Sequence, residues 1–564
     1  MKKINFTISF LLLSMFSFGQ FVVETEVISA RAEQDGLLFN NGETFEGAFE
    51  APKNAGLSTY YSYNFWVSGL LDGAPYFYGT KFLQLSDGNR FGPIMDPEFY
   101  DTEPEIWDRV WNVTREEIDN HIEHYNDPGY EMPEVIENWP AHGDVAKGQA
   151  ASLAPFIDVN NNGEYEPSLG DYPEVLGDET IYVIYNGERN NDTPESMGIE
   201  THVMVYVFNC GDFIVSSAVF SYVKQYNRSI YNYENSYLGF FSDFDIGDPS
   251  DDMARTDVER STVYGINGNS FDGPSSAGPG YGEFLPAQGA TILRGVKQDD
   301  DGVDNNNGIG ENESVNGMGY SDEIIDNEYR GLDFSLKVTN NSGPTGDPQT
   351  AFQFYNSMTG IWNDLTPQTY GGNGHLFSSI VSRYSYSENN PLNYGTAGVG
   401  TDSLEWDNPL PIDVRMIGSS GPFTFEAGTS RDMYMAYTFA REGIGSDTSI
   451  AFMKGYIDEY LLYYQSNLEF CGSPIYLGIS DQKLEKKSIT VYPNPFANEV
   501  SFNYKGNDPK AFVTIYNMMG QEVFSQRAIN GLNTLNLDQI QGNSFILRLS
   551  DKETISTQKI IRKP

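Results

Sequence analysis

The sequence predicts an all-β fold: a multi-domain β-sandwich chain with long acidic loops, closed by an immunoglobulin-like seven-strand sandwich at its C-terminal end. Three features predict it. Short apolar or alternating runs recur along the chain and are cut by Asn-, Asp- and Gly-rich breaks, with 56 Gly in all. Runs of that length and period between turn residues read as strands. Hydrophobic residues make up 39% and aromatics 14%, including 37 Tyr and 36 Phe, which is enough apolar surface for large packed cores. The length of 564 residues exceeds what one core holds, so at least two domains are expected.

The first segment, residues 1–19, reads as a signal peptide. Lys2 and Lys3 precede an apolar stretch from Phe6 to Phe18, and Ser17 and Gly19 are small residues suited to cleavage before Gln20. The residue after the cut is Gln20 and not Cys, so a lipid anchor there is not expected. No later apolar run reaches the ~18 residues of a membrane helix. Export without a transmembrane segment in the mature chain is therefore expected.

Residues 20–150 read as an N-terminal β-rich domain. Its runs are Phe21 to Ile28, Gly36 to Phe39, Tyr60 to Val67 and Tyr76 to Leu83, with breaks at Asn40-Asn41-Gly42 and Asp87-Gly88-Asn89. A short helix is expected near 114–125: Thr114 and Glu117 form a capping-box pair, and Ile118 and Ile122 share a face. His121 and His124, three residues apart, could both ligate a metal, but no third ligand of clear identity lies beside them.

Residues 151–178 hold the most specific motif of the mature chain. Asp158, Asn160, Asn162 and Gly163 spell D-x-N-x-N-G, the opening half of a calcium loop, in which oxygens at alternate positions converge because glycine permits the sharp turn. Glu164 would offer its backbone carbonyl. Leu169 stands where an EF-hand has its bidentate Glu, so Asp171 is the nearest carboxylate able to close the site. Strand-like runs flank the loop; the alternative is an Asn/Gly turn without an ion.

Residues 179–477 read as a large β-sandwich region with acidic loops. Thr201 to Val207, Phe213 to Val223 and Leu332 to Val338 are strand-like. One acidic segment carries Asp243, Asp245, Asp248, Asp251, Asp252 and Asp257; so many carboxylates repel unless solvated or bridged by a hard cation. A second runs from Asp299 through Asp304 and Asn306 to Glu313. Registered on Gly302 it has Lys297 at the first ligand position, and registered on Asp304 it meets its glycine one residue early. A solvated acidic loop is an equal reading there. Cys210 and Cys471, the only two cysteines, could form a disulfide across this region or remain as buried thiols.

Residues 478–487 are charged and unpatterned, a linker. From 488 to 564 about seven short runs follow: Ser488 to Tyr492, Val500 to Tyr504, Ala511 to Tyr516, Glu522 to Ser525, Thr534 to Leu537, Phe545 to Leu549 and Thr557 to Ile561. Four motifs punctuate them: Val491-Tyr492-Pro493-Asn494-Pro495, Ile515 to Val523, Gly542 to Leu549, and Lys559-Ile560-Ile561-Arg562-Lys563. In order and spacing this segment resembles the type A C-terminal sorting domain of the bacterial type IX secretion system. It departs where Phe545 stands in place of a common Tyr and Gly542 lies one residue too far upstream. The resemblance implies cargo status, contact of residues 488–564 with the type IX secretion machinery, usual removal of the tail, and attachment to surface lipopolysaccharide. The middle resembles a family of large secreted bacterial proteins with no assigned activity. The landmarks are Trp107 to Trp111, Trp139 to Asp144, Gly170 to Pro173, Gly360 to Trp362, Tyr370 to Gly374 and Ser420 to Phe423.

Charge narrows the partners. Lys+Arg is 34 against Asp+Glu 79, a formal charge of -45, which repels nucleic acid and anionic membrane surfaces. Bound calcium would relieve part of that self-repulsion. No G-x-S-x-G, H-E-x-x-H, Walker loop or dinucleotide fingerprint occurs. Two readings remain. One is a calcium-stabilised extracellular or cell-surface protein with an adhesion, glycan-contact or structural role. The other is a secreted carbohydrate hydrolase using paired carboxylates, for which Asp243 and Asp245 alternate suitably on a strand. Tyr60, Tyr61, Tyr63, Tyr460, Tyr463 and Tyr464 are candidate aromatics for stacking on sugar rings.

Overall fold

The strand Ile199–Val207 is buried along its whole length, the burial pattern of a strand covered on both faces. That pattern organises the molecule. The structure is a computed structural model. It describes residues 21–563 apart from 81–88, 101–103, 188–196, 276–278, 408–412, 467–468, 474, 478–488, 507–510, 518–521, 541, 543 and 551–554. The expected signal peptide and the whole of the expected linker therefore lie outside the described residues.

Two large sheets face each other. A ten-stranded sheet runs Ser387–Glu388, Asp252–Asp257, Thr262–Asn267, Ala287–Arg294, Ser430–Ala440, Ala218–Asn227, Ile199–Val207, Glu179–Asn186 and Arg90–Phe91, with Trp111–Thr114 also paired to Glu179–Asn186. A five-stranded sheet runs Phe334–Thr339, Val414–Phe425, Tyr233–Phe244, Tyr60–Leu71 and Ala74–Gly79. Alternate side chains meet between them: Tyr63, Phe65 and Phe240 from the smaller sheet, Val183, Val203, Val223, Met435 and Tyr437 from the larger. Each sheet's outer face is covered too. Tyr182, Tyr206, Phe220 and Tyr434 of the larger sheet pack under residues from the 107–176 segment and the helix Asp447–Gln465. Trp66, Phe241 and Ile417 of the smaller sheet pack under Phe354, Met358 and Trp362.

The five-stranded sheet takes Tyr60–Leu71 from before residue 150 and its neighbour Tyr233–Phe244 from after it, in antiparallel register from Glu234↔Leu70 to Phe244↔Tyr60. Strands on both sides of residue 150 thus build one sandwich. The short helix is Arg115–His124, with a full capping box between Thr114 and Glu117. Phe213–Ser216, expected as strand, is a helical turn capped by Asp212 before the strand Ala218–Asn227. At the C-terminal end a three-stranded sheet (Val491–Tyr492, Glu499–Tyr504, Gly531–Asn536) and a four-stranded sheet (Glu522–Arg527, Phe512–Asn517, Ser544–Ser550, Ile555–Ile561) enclose their own core of Phe496, Phe502, Val513, Ile515, Leu535 and Leu547. Among the described residues no helix is long and apolar enough to cross a membrane.

Candidate metal centre

The Asp158 loop is a chain of side-chain-capped turns. Gly163 has φ +85° and Asn161 +57°, left-handed values that let the chain reverse. The Gly163 N–H donates to Asp158 Oδ2 at 2.7 Å, Asn162 N–H to Asn160 Oδ1 at 3.0 Å, and Glu164 N–H to Asn162 Oδ1 at 2.8 Å. The side-chain oxygens of Asp158, Asn160 and Asn162 are therefore each engaged by a backbone N–H of the loop. The Gly163 N–H holds the Asp158 carboxyl below its ordinary range. Its other oxygen, Oδ1, is covered and has no hydrogen-bond donor, an arrangement that suits a hard cation. Glu164, whose carbonyl was to be offered, is exposed.

Asp171 braces the loop. It is fully buried, and both its oxygens are taken by backbone donors: Val159 N–H at 2.9 Å and Glu166 N–H at 2.7 Å. It ties the two ends of the loop together. Glu166 accepts from the amides of Asn162 and Asn160 at 2.5 and 3.5 Å. Glu166, ninth in the loop counted from Asp158, was not among the residues expected to hold the ion.

The two histidines have separate partners. His121 is buried, with one ring nitrogen 3.1 Å from Tyr130 Oη and the other 3.1 Å from the Asp171 carbonyl oxygen. It docks the helix onto the loop. His124 lies 2.9 Å from Asp127 at the surface.

The acidic segment 243–257 divides. Asp243 is 2% exposed and meets Arg415 Nε through Oδ2 at 3.1 Å. Arg415 also pairs with Asp347 and reaches Asp413 at 3.6 Å. Burial pushes the Asp243 carboxyl well up, with Arg415 opposing, and pushes Asp245 to about 7 and Asp347 to about 6. Asp252 is fully buried: Oδ2 accepts from Ile246 N–H at 2.8 Å and Oδ1 has no donor. Asp251 accepts from the amides of Asn267, at 2.9 Å, and Asn269. In the 299–328 loop Asp304 Oδ2 takes Glu323 N–H at 2.7 Å while Oδ1 has no donor, and Asn306 is exposed. Among the described residues no three His, Cys, Asp or Glu side chains are drawn round one point as a metal requires. The sequence-selected acids thus fall into separate groups, and Arg415, Asp347 and Asp413 are the members that spacing missed.

Cys210 and Cys471 are joined in a disulfide with their Cα atoms 5.8 Å apart. The aromatics offered for sugar stacking are mostly core: Tyr60, Tyr63, Tyr460 and Tyr464 are fully buried, and Tyr61 and Tyr463 partly so. Another buried polar chain runs from Tyr182 Oη to His202 Nδ1 at 2.7 Å and from His202 Nε2 to Glu200 at 3.1 Å, with Arg228 donating to Glu200 at 2.6 Å. Burial lowers the His202 pKa, so the ring is neutral and relays a hydrogen bond. The trio is at most 3% exposed, and it satisfies polar groups within the sheet. A surface hollow of about 530 Å³ lies elsewhere, lined by Val27, Pro52, Phe213, Phe284 and Tyr456 beside Glu26 and Glu442.

A search among curated proteins finds no match. A solved polysaccharide lyase aligns over 68% of this chain at 7% identity with a TM-score of 0.18. This chain spans 39% of that one, and so loose a superposition bears on neither fold nor activity. Residues 490–563 match the family model described as the secretion system C-terminal sorting domain, over the segment that forms the small sandwich of seven strands. The chain is type IX secretion cargo carrying its sorting domain at residues 490–563.

Proposed function

We propose that this protein works outside the cell as a calcium-stabilised β scaffold with an adhesion, glycan-contact or structural role. The sorting-domain match at residues 490–563 carries the export half of the reading. The type IX machinery takes hold of the chain there, the tail is removed, and the remainder is attached to surface lipopolysaccharide. The Asp158 loop supports the calcium half: its side-chain oxygens lie along one tight turn, each accepting a backbone N–H, and Asp158 Oδ1 lacks a donor. The ion is held by Asp158, Asn160, Asn162 and the Glu164 carbonyl, with Asp171 bracing the loop ends. Glycan contact falls to the hollow beside Phe213 and Phe284, which are 54% and 51% exposed. The hydrolase alternative needs two carboxylates open to a polymer, and Asp243 is held inside on Arg415.

Two measurements test the reading. Deleting residues 488–564 is expected to leave the product inside the cell envelope; normal release into the medium or onto the surface would refute the sorting role. Thermal melting of the exported protein is expected to rise in calcium over chelator, and Asp158→Asn to remove part of that rise. Equal melting in both conditions ends the calcium reading.

A further inference from the structure

The hollow beside Phe213 and Phe284 gathers large apolar side chains that the fold leaves uncovered. Phe213 comes from the helical turn Phe213–Ser216, Phe284 from the loop before the strand Ala287–Arg294, and Tyr456 from the helix Asp447–Gln465. Phe213 meets the Tyr456 ring edge-on at 6.3 Å. Phe452, one turn earlier on the helix and 45% exposed, meets the same ring at 6.1 Å. Aromatic side chains grouped round a hollow mark a binding surface, which singly scattered ones do not.

The charges of the hollow narrow what it can hold. Glu26 and Glu442 line it, and among the described residues neither takes part in an ion pair. Glu442 stands near enough to the Tyr456 hydroxyl to add to the rise that burial gives its pKa. Arg441, the basic residue of the lining, is already engaged: Nε donates to the Phe284 carbonyl at 2.8 Å and Nη2 to the Tyr281 carbonyl at 2.9 Å. It shapes the wall and leaves the two carboxylates unneutralised. Such a rim repels uronate, sulfate and phosphate groups and attracts ammonium. The half-exposed rings suit the C–H face of a sugar, and an ammonium over an aromatic face gains cation–π attraction. A peptide adding as a strand needs an open sheet edge. The strand that reaches the hollow, Ser430–Ala440, is paired on both sides, so none is offered. The volume of about 530 Å³ is that of an ordinary ligand pocket.

We infer that the hollow receives a glycan chain bearing free amino groups, with sugar faces on Phe213 and Phe284 and ammonium groups on Glu26 and Glu442. The inference rests on the glycan-contact reading of this hollow and names its ligand class. Acidic glycans are turned away by the same two carboxylates.

Calorimetric titration of the full exported chain tests it, in physiological salt and at mildly acidic pH, where sugar amines are protonated. The probes are a β-linked glucosamine hexamer, its fully N-acetylated form, a galacturonate hexamer and a hexalysine peptide. The glucosamine hexamer is expected to bind about tenfold or more tighter than the acetylated form, and the galacturonate hexamer not at all. F213A/F284A should weaken both amino-sugar probes, and E26Q/E442Q should erase the preference for the free amine. All four side chains are on the surface of the hollow, and unchanged thermal melting of both variants shows that they fold. Equal binding of the free and acetylated forms, or a preference for galacturonate, overturns the amine assignment and leaves glycan contact standing. If no hexasaccharide binds, glycan contact fails with it. Glucosamine binding that neither variant alters is diffuse attraction to an acidic chain and overturns the site. Hexalysine binding as tightly as the glucosamine hexamer, and lost in the same variants, overturns the glycan in favour of a basic peptide.

Discussion

Lys337 shows how single residues carry cost inside this sandwich. It is 8% exposed, its ammonium lies 4.9 Å from the centre of the Tyr386 ring, and among the described residues no carboxylate pairs with it. Burial lowers its pKa to about 8. A lowered lysine binds fewer protons folded than unfolded, so stability rises as pH climbs from about 8 to about 10.5. Below that window the full penalty applies, on the order of 3 kcal/mol. Lys337→Met should therefore stabilise the protein at pH 7 and flatten the gain between pH 8 and 10, read from urea midpoints across that range. At this scale the sequence was partly legible. The turn at Gly163 followed from D-x-N-x-N-G alone. The use of Asp171 as a brace did not, because its oxygens answer to backbone donors, Val159 and Glu166, whose positions only the folded loop defines. Arg415 was equally hidden, since Asp243 lies 172 residues away from it and Asp347 68.

Among the elements, the helix Asp447–Gln465 is the one that a strand-minded reading passes over. Its buried residues Met453, Tyr456, Ile457, Tyr460 and Tyr464 fall at helical spacing, so the signal was present but was read as loose aromatics for sugar contact. Tyr460 instead donates its hydroxyl to the Ile214 carbonyl and lies against Phe220. Ile457→Ala should cost about 2–5 kcal/mol, the range for an emptied core site, whereas Ile450→Ala, on the partly buried first turn, should cost less. Chemical denaturation of both variants measures the difference. The small C-terminal sandwich was legible almost strand for strand, because each run is short, alternates, and ends in a turn. The pairing of Tyr60–Leu71 with Tyr233–Phe244 was not, because strand order depends on contacts far apart in the chain that no local pattern encodes.

The whole molecule is held by a fastener as well as by its cores. The Cys210–Cys471 bridge spans 261 residues of sequence, linking the end of one central strand to the segment after the long helix. Closing so large a loop restricts the unfolded chain, and removing such a bridge typically costs 2–5 kcal/mol. The double variant Cys210→Ser/Cys471→Ser should show that drop in denaturant, and reductant should bring the wild type down to the same value while leaving the variant unmoved.

The placement of Ser430–Ala440 has a further outcome. This late stretch is the hinge-pin of the ten-stranded sheet, lying between Ala218–Asn227 and Ala287–Arg294. Until the ribosome has made it, the strands on either side have no neighbour to join them, and loop closure over hundreds of residues is slow. The two halves of the sheet can each pair early, Ile199–Val207 with Ala218–Asn227 and Thr262–Asn267 with Ala287–Arg294, but its middle closes only once residues 430–440 are available.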